Sequence, residues 1–208
     1  MAQRVSGYKR VEHDRYQTPQ WVAEALCEHF DIRDRCIWEP AAGDGYLAEA
    51  LRYCGASDVV RSDLTPPQDG ITEEGDFLSW HSTPPHAYAV VTNPPFGPRG
   101  CLAVDFITQS VALINLGFIQ AAALLLPVDF DSASGRLDLF RDNPLFAAKI
   151  VLNRRIAWVG MEPEPGKPGP SSNHCWMVWQ RQALYTTSRP VTLYAGAKDK
   201  EIKSVITN

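Results

Sequence analysis

The chain has 208 residues, 45% of them hydrophobic and 21% charged, the make-up of an ordinary globular protein with room for a real core. No apolar run is long enough to span a bilayer, and the polar N-terminus lacks the apolar stretch of a signal peptide. Five scattered cysteines without a CxxC pair argue against a disulfide framework or zinc site and for a reducing compartment; a net charge of -4, taken alone, argues against a nucleic-acid partner.

That charge is unevenly spread. Residues 1–17 carry four Lys/Arg against two Asp/Glu, residues 18–146 seven against eighteen, and residues 147–208 nine against four. The basic ends would suit a phosphate-facing surface, or be a solvated face with a chance asymmetry.

In chain order, Thr18-Pro19 opens a helix, with Thr as N-cap, that places Trp21, Val22, Ala25, Leu26 and Phe30 on one face. "CIWEP" is a short strand stopped by proline, "YLAEALRYCG" a helix ended by Gly55, and "DVVRSDL" and "AYAVVTN" are strands. "CLAVDFITQSVALINLG" is a long helix ended by Gly117, "FIQAAALLLP" an apolar strand, and "SGRLDLFRDN" a helix. "AKIVLN", "RIAWV" and "HCWMVWQ" complete seven strands. The Pro/Gly-rich 160–173 reads as a mobile loop and 197–208 as a frayed tail. Strands alternating with helices predict an α/β fold, a mostly parallel sheet with helices on both faces, in a single domain. Ligands in such sheets bind at the carboxyl ends of the strands, so the residues following each strand carry the information.

After the first strand comes "EPAAGDG", residues 39–45. Its small residues let the backbone approach a ligand, and the following helix offers unpaired N–H groups, although the pattern is not GxGxxG. Asp63 ends the second strand nineteen residues beyond Asp44, where a carboxylate would hold a ribose diol. Asp76 in "GDFL" would accept from an adenine amino group, with Phe77 packing nearby. Each of these acids, alone, is as readily a turn residue.

"TNPPFG" follows the strand "AYAVV". Asn93 offers a side-chain carbonyl; Pro94 has no N–H and fixes the direction of its own carbonyl. Two rigid acceptors match the two protons of an exocyclic amino group, and Phe96 supplies a flat apolar surface. Acceptors that draw the amino protons out of the ring plane favour a tetrahedral nitrogen with a usable lone pair, a preorganised electrostatic device.

On these residues the sequence resembles, over about 15–181, the S-adenosylmethionine-dependent amino-methyltransferases that methylate adenine N6 in DNA, and among them small phage or prophage types. "NPPF" resembles the catalytic [DNS]PP[YFW] motif, "EPAAGDG" the cofactor motif, and "YQTP" the segment preceding it in one permutation class. The resemblance implies a class I methyltransferase, Rossmann-like fold with S-adenosylmethionine as cofactor. Tyr16, Thr18 and Pro19 would lie near the cofactor's methionine part. Glu39, Pro40, Ala41, Gly43, Asp44 and Gly45 would line its methionine and adenosine. Asp63 and Leu64 would hold the ribose, and Asp76 and Phe77 the adenine. Asn93, Pro94, Pro95 and Phe96 would form the catalytic motif. A flipped base would need further stacking surface, for which Trp158 and Trp176 are candidates, and Arg154 and Arg155 would meet phosphates.

The resemblance has limits. The larger DNA enzymes carry a target-recognition domain that does not fit in this length, so a separate recognition subunit or a homodimer is expected. The motif also serves RNA bases and protein glutamine, and a non-catalytic cofactor- or nucleic-acid-binding module is a further alternative. The five histidines show no ligand spacing, and no metal or membrane partner is expected; the expected location is the cytoplasm of a bacterium or of a phage host.

Overall fold

The computed structural model describes residues 16–68, 70–80, 87–161, 170, 172–181 and 190–196. Strand β1 (Cys36–Glu39), β2 (Asp58–Asp63), β3 (Glu73–Glu74), β4 (Ala87–Thr92), β5 (Ala121–Pro127), β6 (Phe146–Leu152), β7 (His174–Gln180) and β8 (Val191–Ala195) form one sheet in the order β3-β2-β1-β4-β5-β7-β6-β8. All neighbours are parallel except β7, which is antiparallel to both β5 and β6. The chain runs outward from β1 to β2 and β3, then returns to β4 on the other side of β1. A crevice therefore opens at the carboxyl ends of β1 and β4, where the strand order reverses.

Alternation along each strand divides the core into two layers. On one face Ile37, Ala89, Val91, Ala121, Ala123, Leu125, Trp176 and Val178 pack with α1 (Gln20–Cys27) and α2 (Tyr46–Tyr53). On the other, Trp38, Val90, Ala122, Leu124, Leu126, Met177 and Trp179 pack with α3 (Cys101–Leu116) and the turns from Phe130 to Phe140. Phe146 and Ala148 are two residues apart on β6 yet face opposite layers. A register shift against β7 falls between them, and one extra residue inverts the side-chain alternation.

Several expectations need correction. In place of the helix expected over 134–143 there is a single 3-10 turn, Ser134–Arg136, followed by further turns, with another 3-10 turn, Phe130–Ser132, just ahead of it. The Leu139 and Phe140 amides bond three residues back, to Arg136 and Leu137. This tighter coil buries both side chains and turns the Leu139 carbonyl toward the Trp179 indole N–H, 2.8 Å away. "RIAWV" is not a sheet strand: β8, which the periodicity did not reveal, is the neighbour of β6 on that side. Residues 155–159 leave the sheet, and only Val159 makes a bridge, with Gln17. The short β3 raises the strand count from the expected seven to eight. The N-cap of α1 is Pro19 rather than Thr18. The expected tail 197–208 and most of the loop 160–173 lie outside the described residues.

Trp176 is also corrected. It is 0% exposed, and its indole N–H donates to the Val22 carbonyl at 2.8 Å, so it joins β7 to α1 and offers no face to a base. Trp176→Ala would empty a large core site and is expected to lower stability by about 3–5 kcal/mol in denaturant unfolding. A loss under about 1 kcal/mol, the range of surface substitutions, would place this side chain outside the core.

Candidate active site

The cleft at the reversal point is walled by the ends of β1, β2 and β4. About 1060 Å³ of empty space, open mouth included, lies between its walls. Of the expected residues, Tyr16, Thr18, Glu39, Pro40, Ala41, Gly43, Asp63, Leu64, Asp76, Phe77, Asn93 and Pro95 line it. Gln17, Ala42, Leu47, Thr65, Gly75, Leu78, Leu102 and Phe106 also line it and were not anticipated. Gln17 and Gly75 lay within quoted motifs, so adjacency to Thr18 and Asp76 was an available signal. Leu102 and Phe106 come from α3, and nothing in their local sequence places them at a strand end.

The turn after β1 is held against the end of β2. The Ala42 amide donates to the Ser62 carbonyl at 3.0 Å, and the Gly43 amide to Asp63 Oδ2 at 2.8 Å. Asp63 Oδ1 accepts from the Thr65 amide at 2.9 Å, so backbone donors hold both carboxylate oxygens in place on the cleft wall. Gly45, at φ 84° in the left-handed region, caps α2. A Cβ there would run into the Arg61 guanidinium, so the turn demands glycine on two counts. Gly45 and Asp44 do not line the cleft; Asp44 instead accepts from the Gln17 side-chain amide at 2.8 Å.

Glu39 is 2% exposed, the most buried acid on the wall. One oxygen accepts from the Ala48 amide, one of the unpaired donors of the first turn of α2, while Oε2 is buried without a partner among the described residues. Burial raises its pKa well above the ordinary 4.5; nearby Arg61 opposes that shift and Asp63 adds to it. Asp76 also lines the cleft, but its carboxylate accepts from the Leu78 amide at 3.0 Å and the Ser79 hydroxyl at 2.8 Å, capping the short turn that buries Phe77.

Asn93 directly follows β4. Its side-chain N–H₂ group donates to the Tyr16 carbonyl at 3.2 Å and to Thr18 Oγ1 at 3.3 Å. Both amide protons are thereby used, and Oδ1 faces the other way. Among the described residues, no hydrogen bond reaches Asn93 Oδ1 or the Pro94 carbonyl. Pro94 is buried behind the cleft wall. Phe96 lies off the wall and half-buried, its amide oxygen bonded by Leu102 at the start of α3 and its ring edge-on to Phe130.

The outer candidates separate. Trp158 is half-buried between Tyr16 and His174, each ring centroid 5.4 Å away, so it supports the segment that holds Asn93 without lining the cleft. His174 is buried enough to lower its pKa to about 4. Arg154 is half-buried, and its guanidinium lies over the Trp21 ring of α1 at 4.0 Å. Arg155 is exposed and donates to Asn173 Oδ1 and the Pro170 carbonyl. Among the described residues no helix is long and apolar enough to cross a membrane, and no group of three His, Cys, Asp or Glu side chains could hold a metal.

No family model and no curated protein matches the chain. Its fold does match solved structures. One is a Pyrococcus horikoshii protein provisionally named an RNA methyltransferase, at TM-score 0.58 and 15% identity, covering 85% of this chain and 93% of that one. A second is the 23S rRNA methyltransferase ErmE, at TM-score 0.52 and 19% identity, with 81% and 70% covered. A third is a type I restriction-modification methyltransferase subunit from Streptococcus thermophilus, at TM-score 0.54 and 14% identity. This match covers 95% of this chain and half of that one. The fold is therefore that of the class I methyltransferases, as the sequence predicted.

Glu39 generates a test independent of any ligand. Its folded-state pKa lies above the unfolded value, so stability is full below about pH 4.5 and is lost as pH rises through the folded pKa. Glu39→Gln removes that dependence. Its melting temperature is expected to pull ahead of the wild type progressively between about pH 5 and 8. A gap that stays constant over that range would show that burial does not perturb Glu39.

Proposed function

We propose that this protein transfers a methyl group from S-adenosylmethionine to an exocyclic amino group of a nucleobase, adenine N6 in DNA being the intended acceptor. One observation carries the reading. With its N–H₂ group committed to Tyr16 and Thr18, Asn93 keeps its side-chain carbonyl for a ligand on the cleft wall, and neither that oxygen nor the Pro94 carbonyl has a hydrogen-bond partner among the described residues. The nucleic-acid methyltransferases among the similar folds support the class of reaction.

The cleft residues suit the cofactor. It carries an ammonium, a sulfonium, a ribose diol and an adenine, and the wall offers a buried carboxylate with one unpartnered oxygen, Glu39 Oε2, and a second carboxylate at the end of β2, Asp63. Glu39 would face the cationic methionine end, Asp63 the ribose, and Phe77 and Leu64 the adenine. When bound, this cofactor supplies an electrophilic methyl group. The protein's own part is to prepare the acceptor. Asn93 Oδ1 and the Pro94 carbonyl would each take one amino proton, turning the nitrogen lone pair out of the ring. They would also stabilise the positive charge that develops on nitrogen, and loss of one amino proton to solvent then balances the transfer. Phe96 would give the base a stacking surface.

Labelled cofactor incubated with DNA and RNA, followed by digestion to nucleosides, identifies the acceptor directly; label in N6-methyladenine from DNA is expected, and label only in an RNA nucleoside would move the substrate class. Asn93→Ala should slow single-turnover methyl transfer by roughly a hundredfold, as removal of one preorganised polar group does, with cofactor affinity nearly unchanged. A wild-type rate in that variant would sink the assignment. Asp63→Ala should weaken cofactor binding by about tenfold to a hundredfold in calorimetry, the worth of hydrogen bonds to a charged group; an unchanged dissociation constant would remove Asp63 from the site.

A further inference from the structure

A side-chain amide is nearly symmetric in shape, and exchanging its oxygen and nitrogen costs little unless neighbours choose between them. For the reaction proposed above the choice is decisive. An outward Oδ1 accepts from an amino group, whereas an outward N–H₂ would meet it donor to donor. The neighbours that choose are on a three-residue segment ahead of α1. The Tyr16 carbonyl can only accept, so it admits the nitrogen end of Asn93 and rejects the oxygen end. Thr18 Oγ1 takes the second amide proton.

The segment is anchored on both sides of Asn93. The Val159 amide donates to the Gln17 carbonyl at 3.1 Å, the Gln17 side chain donates to Asp44 at 2.8 Å, and the Tyr16 ring packs on Trp158. Thr18 itself is 3% exposed, and its hydroxyl is not spent as the N-cap of α1 that the sequence suggested. A buried hydroxyl beside a helix start that forgoes the cap and bonds a side chain seventy-five positions away is placed for that side chain.

We infer that Thr18 is a positioning residue for methyl transfer: with the Tyr16 carbonyl, its hydroxyl locks the Asn93 amide so that the carbonyl oxygen faces the acceptor base. The inference rests on the proposed function and deepens it. It is distinct from a cofactor contact by Thr18, which would change affinity and leave the rate at saturating cofactor untouched.

The test uses the full chain, with Thr18→Val, which keeps the shape and removes the hydroxyl, and Thr18→Ser, which keeps the hydroxyl. Asn93 side-chain N–H₂ signals are read by ¹⁵N NMR and identified by their loss in Asn93→Asp. Single-turnover methyl transfer to adenine-containing single-stranded and duplex oligonucleotides is measured with S-adenosylmethionine saturating. In Thr18→Val one of the two amide-proton shifts should move and the rate should fall about tenfold, the worth of one hydrogen bond, while Thr18→Ser recovers most of both. Unmoved Asn93 signals in Thr18→Val overturn the inference whatever the rate. So does a wild-type rate in Thr18→Val, with the proposed function left standing. If the wild-type protein binds the cofactor yet methylates neither oligonucleotide, the adenine reading itself fails and Thr18 loses its role with it.

Discussion

The hydrogen bond from the Gly43 amide to the Asp63 carboxylate is the join on which the site depends. It ties the turn leaving β1 to the last residue of β2, across two parallel strands in register from Cys36 and Asp58 to Glu39 and Arg61. Because β2 runs two residues beyond the partner of Glu39, its last residue meets the glycine turn that leads from β1 into α2. The turns of the cleft wall are thus placed by the ends of the central strands β1, β2 and β4, which are mostly buried. Asn93 joins the same place because β4 flanks β1 on its other side.

Glu39 shows what such a site costs. An acid sealed at the end of a core strand, with one oxygen unpaired, is unfavourable in the folded protein unless something positive meets it. Arg61 and the first turn of α2 offset part of that cost, and the remainder leaves a carboxylate ready for a cation. A glutamine of the same shape would make a more comfortable core and a poorer receptor. Backbone amides give the other acids of the wall fixed directions: Asp63 accepts from the Gly43 and Thr65 amides, and Asp76 from the Leu78 amide.

Of the basic residues at the two ends of the sequence, the described part of the chain holds Lys149, Arg154, Arg155 and Arg181. Arg154 and Arg155 are adjacent in sequence yet have different partners, the one over a ring of α1 and the other bonded to Asn173 and Pro170. Arg154 spends its charge on the Trp21 ring and Arg155 on carbonyl and amide oxygens of 170–173. Charge counted along a chain says how much is present, and only the backbone path says where it points.

Much of this protein was legible from the sequence because the signals were local. Apolar runs ended by Pro, Asn or Gly marked β1, β4 and β5; Gly55 and Gly117 stopped their helices; and the strand-end rule put Glu39, Asp63, Asp76 and Asn93 around one crevice. The misses were non-local. Trp176 and Trp158 alternate on apolar stretches alike, and burial under α1 is what makes the first a core residue. The stretch 134–143 has helical spacing, but covering Phe140 and Trp179 required a tighter coil. β8 is short and half-exposed and carries no pattern until β6 stands beside it. The sequence by itself determined which residues end the strands, since proline, asparagine and glycine act through their own backbone chemistry. Only the tertiary structure decided which way the Asn93 amide faces. That choice depends on a carbonyl and a hydroxyl seventy-seven and seventy-five positions away, brought together by the packing of the segment before α1 against the end of β4.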